Sequence, residues 1–174
     1  MIESTALTQR RELVFEMIVA RSGIHTRLLA RECGIALSTA KYHIDLLERT
    51  GRITFRQDGR YRRLFPVGAP DAIMIVRSAL QRRVPATVLA VVARRKTSTR
   101  RDISNATGIS GSTLGGALVY LHRLGVLTRE LQGGRFVYRV TDPALVLPLV
   151  AETERGLTVA TPVATPPASS ITTA

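Results

Sequence analysis

Two short runs of this sequence hold the residue types from which recognition chemistry can be built. One reads Ser38-Thr39-Ala40-Lys41-Tyr42-His43, and in the other Arg56, Arg60, Arg62 and Arg63 crowd around Asp58-Gly59. Hydroxyls at the start of a helix, next to free backbone N–H groups, suit phosphate, and Lys41, Tyr42 and His43 are long enough to touch base edges. Guanidinium groups at the tip of a hairpin can lie along phosphates or enter a narrow minor groove. Each residue also has a plainer role open to it. Ser38 can simply cap its helix, Tyr42 can cover a surface, and the arginines can form a solvated basic loop.

Catalytic and metal chemistry is sparse by comparison. The lone cysteine, Cys33, falls on the apolar stripe of a short helix and reads as a core thiol. His25, His43 and His122 show no ligand spacing with one another or with a carboxylate pair. No Ser-His-acid set, Gly-rich phosphate loop or pair of catalytic carboxylates can be assembled. The expectation is therefore a non-enzyme with no metal, no cofactor and no evident small-molecule ligand.

Charge points to the partner. The 174 residues include 25 Lys and Arg against 13 Asp and Glu, a net charge of +12. Such an excess repels itself and attracts polyanions, either nucleic acid or an anionic membrane. All the cations but Lys41 and Lys96 are Arg, which suits phosphate and guanine edges but equally follows from a GC-rich genome. One cysteine precludes an internal disulfide and fits a reducing compartment. No apolar run approaches the roughly 20 residues that span a bilayer, and the Met1-Ile2-Glu3 start does not look like a secretory signal. A cytoplasmic, nucleoid-associated protein is expected.

The elements that position these residues are written twice. Setting Gly34 on Gly108 also matches Ile35 with Ile109, Ser38 with Ser112, Thr39 with Thr113, Leu47 with Leu121 and Gly51 with Gly125, a divergent duplication. One extra residue in the second copy then places Gly59-Arg60-Tyr61 on Gly134-Arg135-Phe136. In the first copy Thr8 precedes a helix with Leu13, Val14, Met17 and Ile18 at helical spacing, ending near Gly23. Thr26 is expected to cap a second helix carrying Leu28, Leu29 and Cys33, stopped by Gly34. Ser38 is expected to cap a third, with Ala40, Ile44 and Leu47 inward and Ser38, Thr39, Lys41, Tyr42, His43 and Asp45 on the open face. Alternating strands around Asp58-Gly59 then predict a hairpin. The second copy repeats three helices and a hairpin. Asp71 is expected to cap a helix leading into it, and after Pro143 a last helix should be kinked or ended by Pro148. The expected division is 1–66, 67–156 and a disordered tail, 157–174, without charge and rich in Thr, Ala and Pro.

A short helix bracing a second whose N-terminus projects into a major groove, with a hairpin alongside, is a mechanical arrangement for reading DNA. Leu29-Ala30-Arg31-Glu32-Cys33-Gly34-Ile35, Ser38 to Ile44, Leu47-Glu48-Arg49-Thr50-Gly51 and Arg60-Tyr61-Arg62-Arg63 carry it here. Over about residues 8–142 the sequence resembles the winged helix-turn-helix regulators, of the ArsR and MarR-like kind and most closely the two-domain archaeal ones. The resemblance implies a mainly α fold with small β-hairpin wings, an α+β chain of two tandem domains, binding to double-stranded DNA, and a homodimer. It does not bring the ArsR thiolate sensor, whose cysteines are absent. Where the first copy has Lys41, Tyr42 and His43, the second has Gly115, Gly116 and Ala117, which cannot read bases. The second copy is expected to pack closely against a partner or to hold phosphate through Arg100, Arg101, Ser112, Thr113, Arg129, Arg135 and Arg139. The resulting expectation is a sequence-reading transcriptional regulator. An architectural DNA-coating protein and a winged-helix protein-interaction module stand as alternatives.

Overall fold

A computed structural model describes residues 2–158. It is mixed α+β, with eight helices and two three-stranded sheets among the described residues. The first half runs α1 (Ile2–Ala20), β1 (Ile24–His25), α2 (Thr26–Glu32), α3 (Leu37–Arg49), β2 (Ile53–Asp58) and β3 (Tyr61–Pro66). After α4 (Asp71–Leu80) the order repeats as α5 (Arg83–Ala93), β4 (Ser98–Thr99), α6 (Arg100–Thr107), α7 (Gly111–Arg123), β5 (Leu127–Gln132) and β6 (Arg135–Val140), closed by α8 (Pro143–Thr158). Both sheets are antiparallel, ordered β1-β3-β2 and β4-β6-β5. No helix among the described residues is long and apolar enough to cross a membrane.

The offset that the glycines set in sequence holds through every strand pair. Ile24 faces Leu64 as Ser98 faces Tyr138, and Ile53 faces Pro66 as Leu127 faces Val140. The extra residue expected in the second hairpin is therefore absent. Tyr61 faces Asp58 and Arg135 faces Gln132, so Arg135, not Phe136, is the counterpart of Tyr61. Both hairpins close on two residues, Gly59-Arg60 and Gly133-Gly134, with the glycines at φ of 60°, 55° and 76°. Asp58 is the last strand residue instead of a turn residue.

Side-chain burial follows the same offset. Val14, Ile18, Leu29, Ile44, Leu47, Ile53 and Leu64 form the first core, and Val88, Val92, Ile103, Leu118, Leu121, Leu127 and Tyr138 occupy the same places in the second. Burying such an aliphatic side chain is worth about 1.5–3 kcal/mol. The second core is larger because α4 adds Val76, Ala79 and Leu80 and α8 adds Val146, Leu149 and Val150. Ile24 is replaced by Ser98, whose hydroxyl is buried without a hydrogen-bond partner among the described residues.

The helix ends differ from expectation in several places. Helix α1 begins at Ile2, ahead of Thr8, and Leu13 is exposed while Val14 and Ile18 face inward. The cap of α2 is His25, whose Nδ1 accepts from the Leu28 N–H at 3.3 Å, leaving Thr26 as the first helical residue. Ala36 precedes α3, so Ser38 lies inside the first turn, and no side chain caps that helix. Likewise Pro70 precedes α4 and Asp71 sits in its first turn, where a carboxylate suits the helix dipole. Pro148 does not end α8: it and Ala144, whose carbonyl loses its partner, both face solvent. Leu157 and Thr158 belong to α8, and the remainder of the stretch expected to be disordered, 159–174, lies outside the described residues.

Candidate nucleic-acid interface

Helix α3 buries Ala40, His43, Ile44 and Leu47 and leaves Ser38, Lys41, Tyr42, Asp45 and Arg49 exposed. These outward positions recur at helical spacing and form one continuous stripe from the N-terminus to the last turn. Tyr42 is 58% exposed. Thr39 is half-buried beside it. Because no side chain caps α3, its first-turn N–H groups remain available to an external acceptor. The hairpin is tied to this helix by Arg62, which donates to Glu48 at 2.5 Å and lies 3.7 Å from the Phe55 ring centroid.

His43 does not belong to the open face. It is 1% exposed, and both of its ring nitrogens are buried without a hydrogen-bond partner among the described residues. The reason is periodicity: His43 lies three residues from Ala40 and four from Leu47, on the inward stripe. Burial, reinforced by Arg11 and Arg10, holds its pKa below the usual 6.5. A histidine kept neutral in the fold contributes stability above 6.5 that is lost as pH falls toward its depressed value. His43→Leu is accordingly expected to raise stability by about 1 kcal/mol at neutral pH, by removing unpaired buried nitrogens. It should also flatten the loss of stability on acidification. Denaturant unfolding of both proteins above and below the histidine range checks this, and the difference between them excludes His25, which shifts in the same direction.

The hairpin also departs from a fully open basic wing. Arg63 is 2% exposed, and its Nε and Nη2 donate to Asp58 Oδ2 at 3.1 and 3.0 Å. It cannot reach an external phosphate, because on β3 it lies on the face opposite the core residue Leu64, and there the buried Asp58 carboxylate, itself clamped by Arg82, holds it. The opposite oxygen of Asp58 accepts from Arg82 Nη2 at 2.7 Å and from the Tyr120 hydroxyl at 3.0 Å. Arg82 also stacks 4.5 Å from the Tyr120 ring centroid. Asp58 thus latches the first hairpin onto the start of α5 and onto α7. Burial alone would raise its pKa, yet hydrogen bonds from Arg82, Arg63 and Tyr120 outweigh that and hold it below 3.8. Of the four hairpin arginines, Arg60 remains exposed, Arg56 and Arg62 are half-buried, and Arg63 is withdrawn.

On α7 the outer face is rebuilt by a neighbouring helix. The Arg100 guanidinium donates to the Gly111 carbonyl and lies where a side chain on Gly115 would begin, 3.1 Å from that Cβ position. Gly115 is the counterpart of Lys41, so α6 returns a cation to the place where α7 lacks one. Ser112, Thr113, Arg101, Arg129 and Arg135 are exposed, Arg129 stacking 4.1 Å from the Phe136 centroid. Arg139 is half-buried and pairs with Glu130 at 3.5 Å. Of the two glycines only Gly115 has a close neighbour, the chain's own Arg100 and not a partner's surface, and a Cβ on Gly116 meets nothing within 4 Å among the described residues. Gly116→Ala is expected to stabilise the chain by about 1 kcal/mol, whereas Gly115→Ala should gain less because Arg100 must shift. Thermal or denaturant unfolding of the two variants distinguishes them.

Sequence reasoning missed the latch. Arg82 and Tyr120 lie 24 and 62 residues from Asp58, too far for any local pattern to pair them. The one available signal was a single acidic residue among four hairpin arginines. No group of three or more His, Cys, Asp or Glu residues is arranged to hold a metal among the described residues.

No family model matches the chain, and no curated protein matches it. Among solved structures it is similar to Bordetella bronchiseptica BpsR, described with a mechanism for regulation of its DNA binding by 6-hydroxynicotinic acid, at 18% identity and a TM-score of 0.43, covering 54% of this chain and 74% of that one. It is also similar to the AntR antimony-specific transcriptional repressor, at 20% identity and a TM-score of 0.42, covering 53% of this chain and 86% of that one. ScpB from Mycobacterium tuberculosis is similar at 16% identity and a TM-score of 0.32, covering 82% of this chain and 96% of that one.

Proposed function

We propose that the chain is a double-stranded DNA-binding transcriptional regulator, built of two tandem winged helix-turn-helix domains over residues 1–66 and 67–156. The observation that carries the reading is the outward stripe of α3, where Ser38, Lys41 and Tyr42 stand exposed at the uncapped end of a helix braced by α2. In this reading the α3 N-terminus enters a major groove. Its free N–H groups with Ser38 and Thr39 hold phosphate, and Lys41 and Tyr42 meet base edges. Arg56 and Arg60 reach the flanking backbone. The second domain adds affinity without readout, through Arg100, Arg101, Ser112, Thr113, Arg129 and Arg135. The protein acts as a homodimer at the nucleoid, catalyses no reaction and needs no cofactor.

Selection of bound fragments from the source genome at near-physiological salt tests the reading. An enriched motif is the expected result, and its half-site spacing gives the symmetry of the complex. One observation favours a second reading. The second half presents Gly115 and Gly116 where the first has Lys41 and Tyr42, and the net charge is +12, as suits an architectural protein that binds DNA by its backbone. Broad retention without a motif would select that reading, and no retention would redirect the search to protein partners.

A further inference from the structure

The two hairpins end differently. Along β5 and β6 one row of side chains starts in the core with Leu127 and Val140, passes Arg129 and Tyr138, and ends beyond the core at the cross-strand pair Leu131 and Phe136. Leu131 is 65% exposed and Phe136 46%. In the first hairpin the same row ends at Gln57 and Arg62, opposed in the same register and both held by polar partners. Gln57 Nε2 donates to the Gly59 carbonyl at 2.6 Å, and Arg62 donates to Glu48. The second copy exchanges both for large apolar side chains, and His122 stands in the place of Glu48.

The surroundings of this apolar pair select its partner. Arg129 stacks on Phe136 from the same face, and Arg135 is exposed beside the tip. The acid of this hairpin, Glu130, lies on the opposite face, engaged by Arg139 and Gln132. Two copies of such a face would set arginine against arginine, whereas a polyanion is attracted to it. The tip, Gly133-Gly134, has no side chains. The strands behind it are spaced about 4.8 Å apart, and a minor groove is about 6 Å wide. A bare tip can therefore start into the groove, with Leu131 and Phe136 following as a broader step. Apolar side chains carried to that depth wedge between bases and partly unstack them.

We propose that the second hairpin enters the minor groove and that Leu131 and Phe136 wedge into a base step, so that this half kinks the DNA it holds. The proposal rests on the DNA-binding reading and adds an activity to it. Pyrimidine–purine steps, which unstack most readily, are the targets.

The test uses the full chain and a duplex of about 30 base pairs of alternating T-A steps. 2-Aminopurine replaces the central adenines, and the ends carry a fluorescence donor and acceptor. Anisotropy of a separately labelled duplex gives the affinity. On binding, 2-aminopurine emission is expected to rise about twofold or more, and the ends to approach as for a kink of about 20–90°. Leu131→Gln with Phe136→Gln, at two exposed positions, should remove both signals while affinity stays within about tenfold, because no cation is lost. Circular dichroism checks that the variant is folded. Binding of the unsubstituted chain without unstacking or bending would overturn the proposal and leave the DNA-binding reading standing. Signals that survive in the double variant would overturn it by placing the bend elsewhere. Self-association without DNA that the double variant loses would overturn it by assigning the pair to a second copy of the chain. Failure to bind the duplex at all, even at about 50 mM salt where phosphate contacts are strong, would sink the DNA-binding reading and the proposal with it.

Discussion

Asp58→Ala is expected to lower folding stability by about 3–5 kcal/mol, the usual cost of leaving one partner of a buried ion pair behind. Three donors depend on this carboxylate. Arg63 is 2% exposed and has its only ion pair there among the described residues, the Tyr120 hydroxyl points at it, and Arg82 clamps it from the second half. Removal strands a buried guanidinium, which outweighs the small gain from no longer desolvating a carboxylate. Arg82→Ala should cost less, because the Arg82 side chain is 35% exposed and Asp58 keeps its other two partners. Denaturant unfolding of both variants gives the ranking, and equal losses would show that the latch does not centre on Asp58.

The pH window of the latch follows from its two titrating groups. The Asp58 pKa is depressed, so its contribution is complete above 3.8 and disappears as pH falls through the lower folded value. Burial, the Asp58 charge and the hydrogen bond to it push Tyr120 up from 10.0 to about 12. Its contribution is complete below 10.0 and declines between there and about 12. At neutral pH neither limit is approached, so the halves stay coupled.

The outward face of α3 and the repeated order of elements were legible because each depends on local spacing. Ala40, Ile44 and Leu47 mark the inward side of α3, and subtracting them leaves Lys41 and Tyr42 outside, as the structure has them. The same subtraction does not place His43, a polar side chain whose register is that of a core residue. The hairpin misalignment has a similar origin. Tyr61 and Phe136 match as aromatics but sit one register apart, hence on opposite faces of their sheets. The latch was beyond local reading, since whether an arginine faces DNA or a carboxylate depends on where a distant segment packs.

Lys41→Ala combined with Tyr42→Ala is expected to reduce affinity for the selected DNA motif by about 10- to 100-fold while leaving affinity for unrelated DNA within a few-fold. Each side chain that contacts a base edge contributes about 1–3 kcal/mol of discrimination. Non-specific affinity depends instead on the number of phosphates neutralised, and of the two only Lys41 is a cation. The salt dependence should therefore shift by about one unit of slope at most. Both residues are exposed and form no part of the core, so the fold is expected to survive the change, which circular dichroism and unfolding check directly. Placing Lys and Tyr at 115 and 116 gives the reciprocal test. Altered motif preference would mean that the α7 face also lies in a groove, and unchanged preference would keep readout in the first half. If the double alanine variant retains the full motif preference, α3 is not the reader, and the exposed stripe has to be explained by another partner.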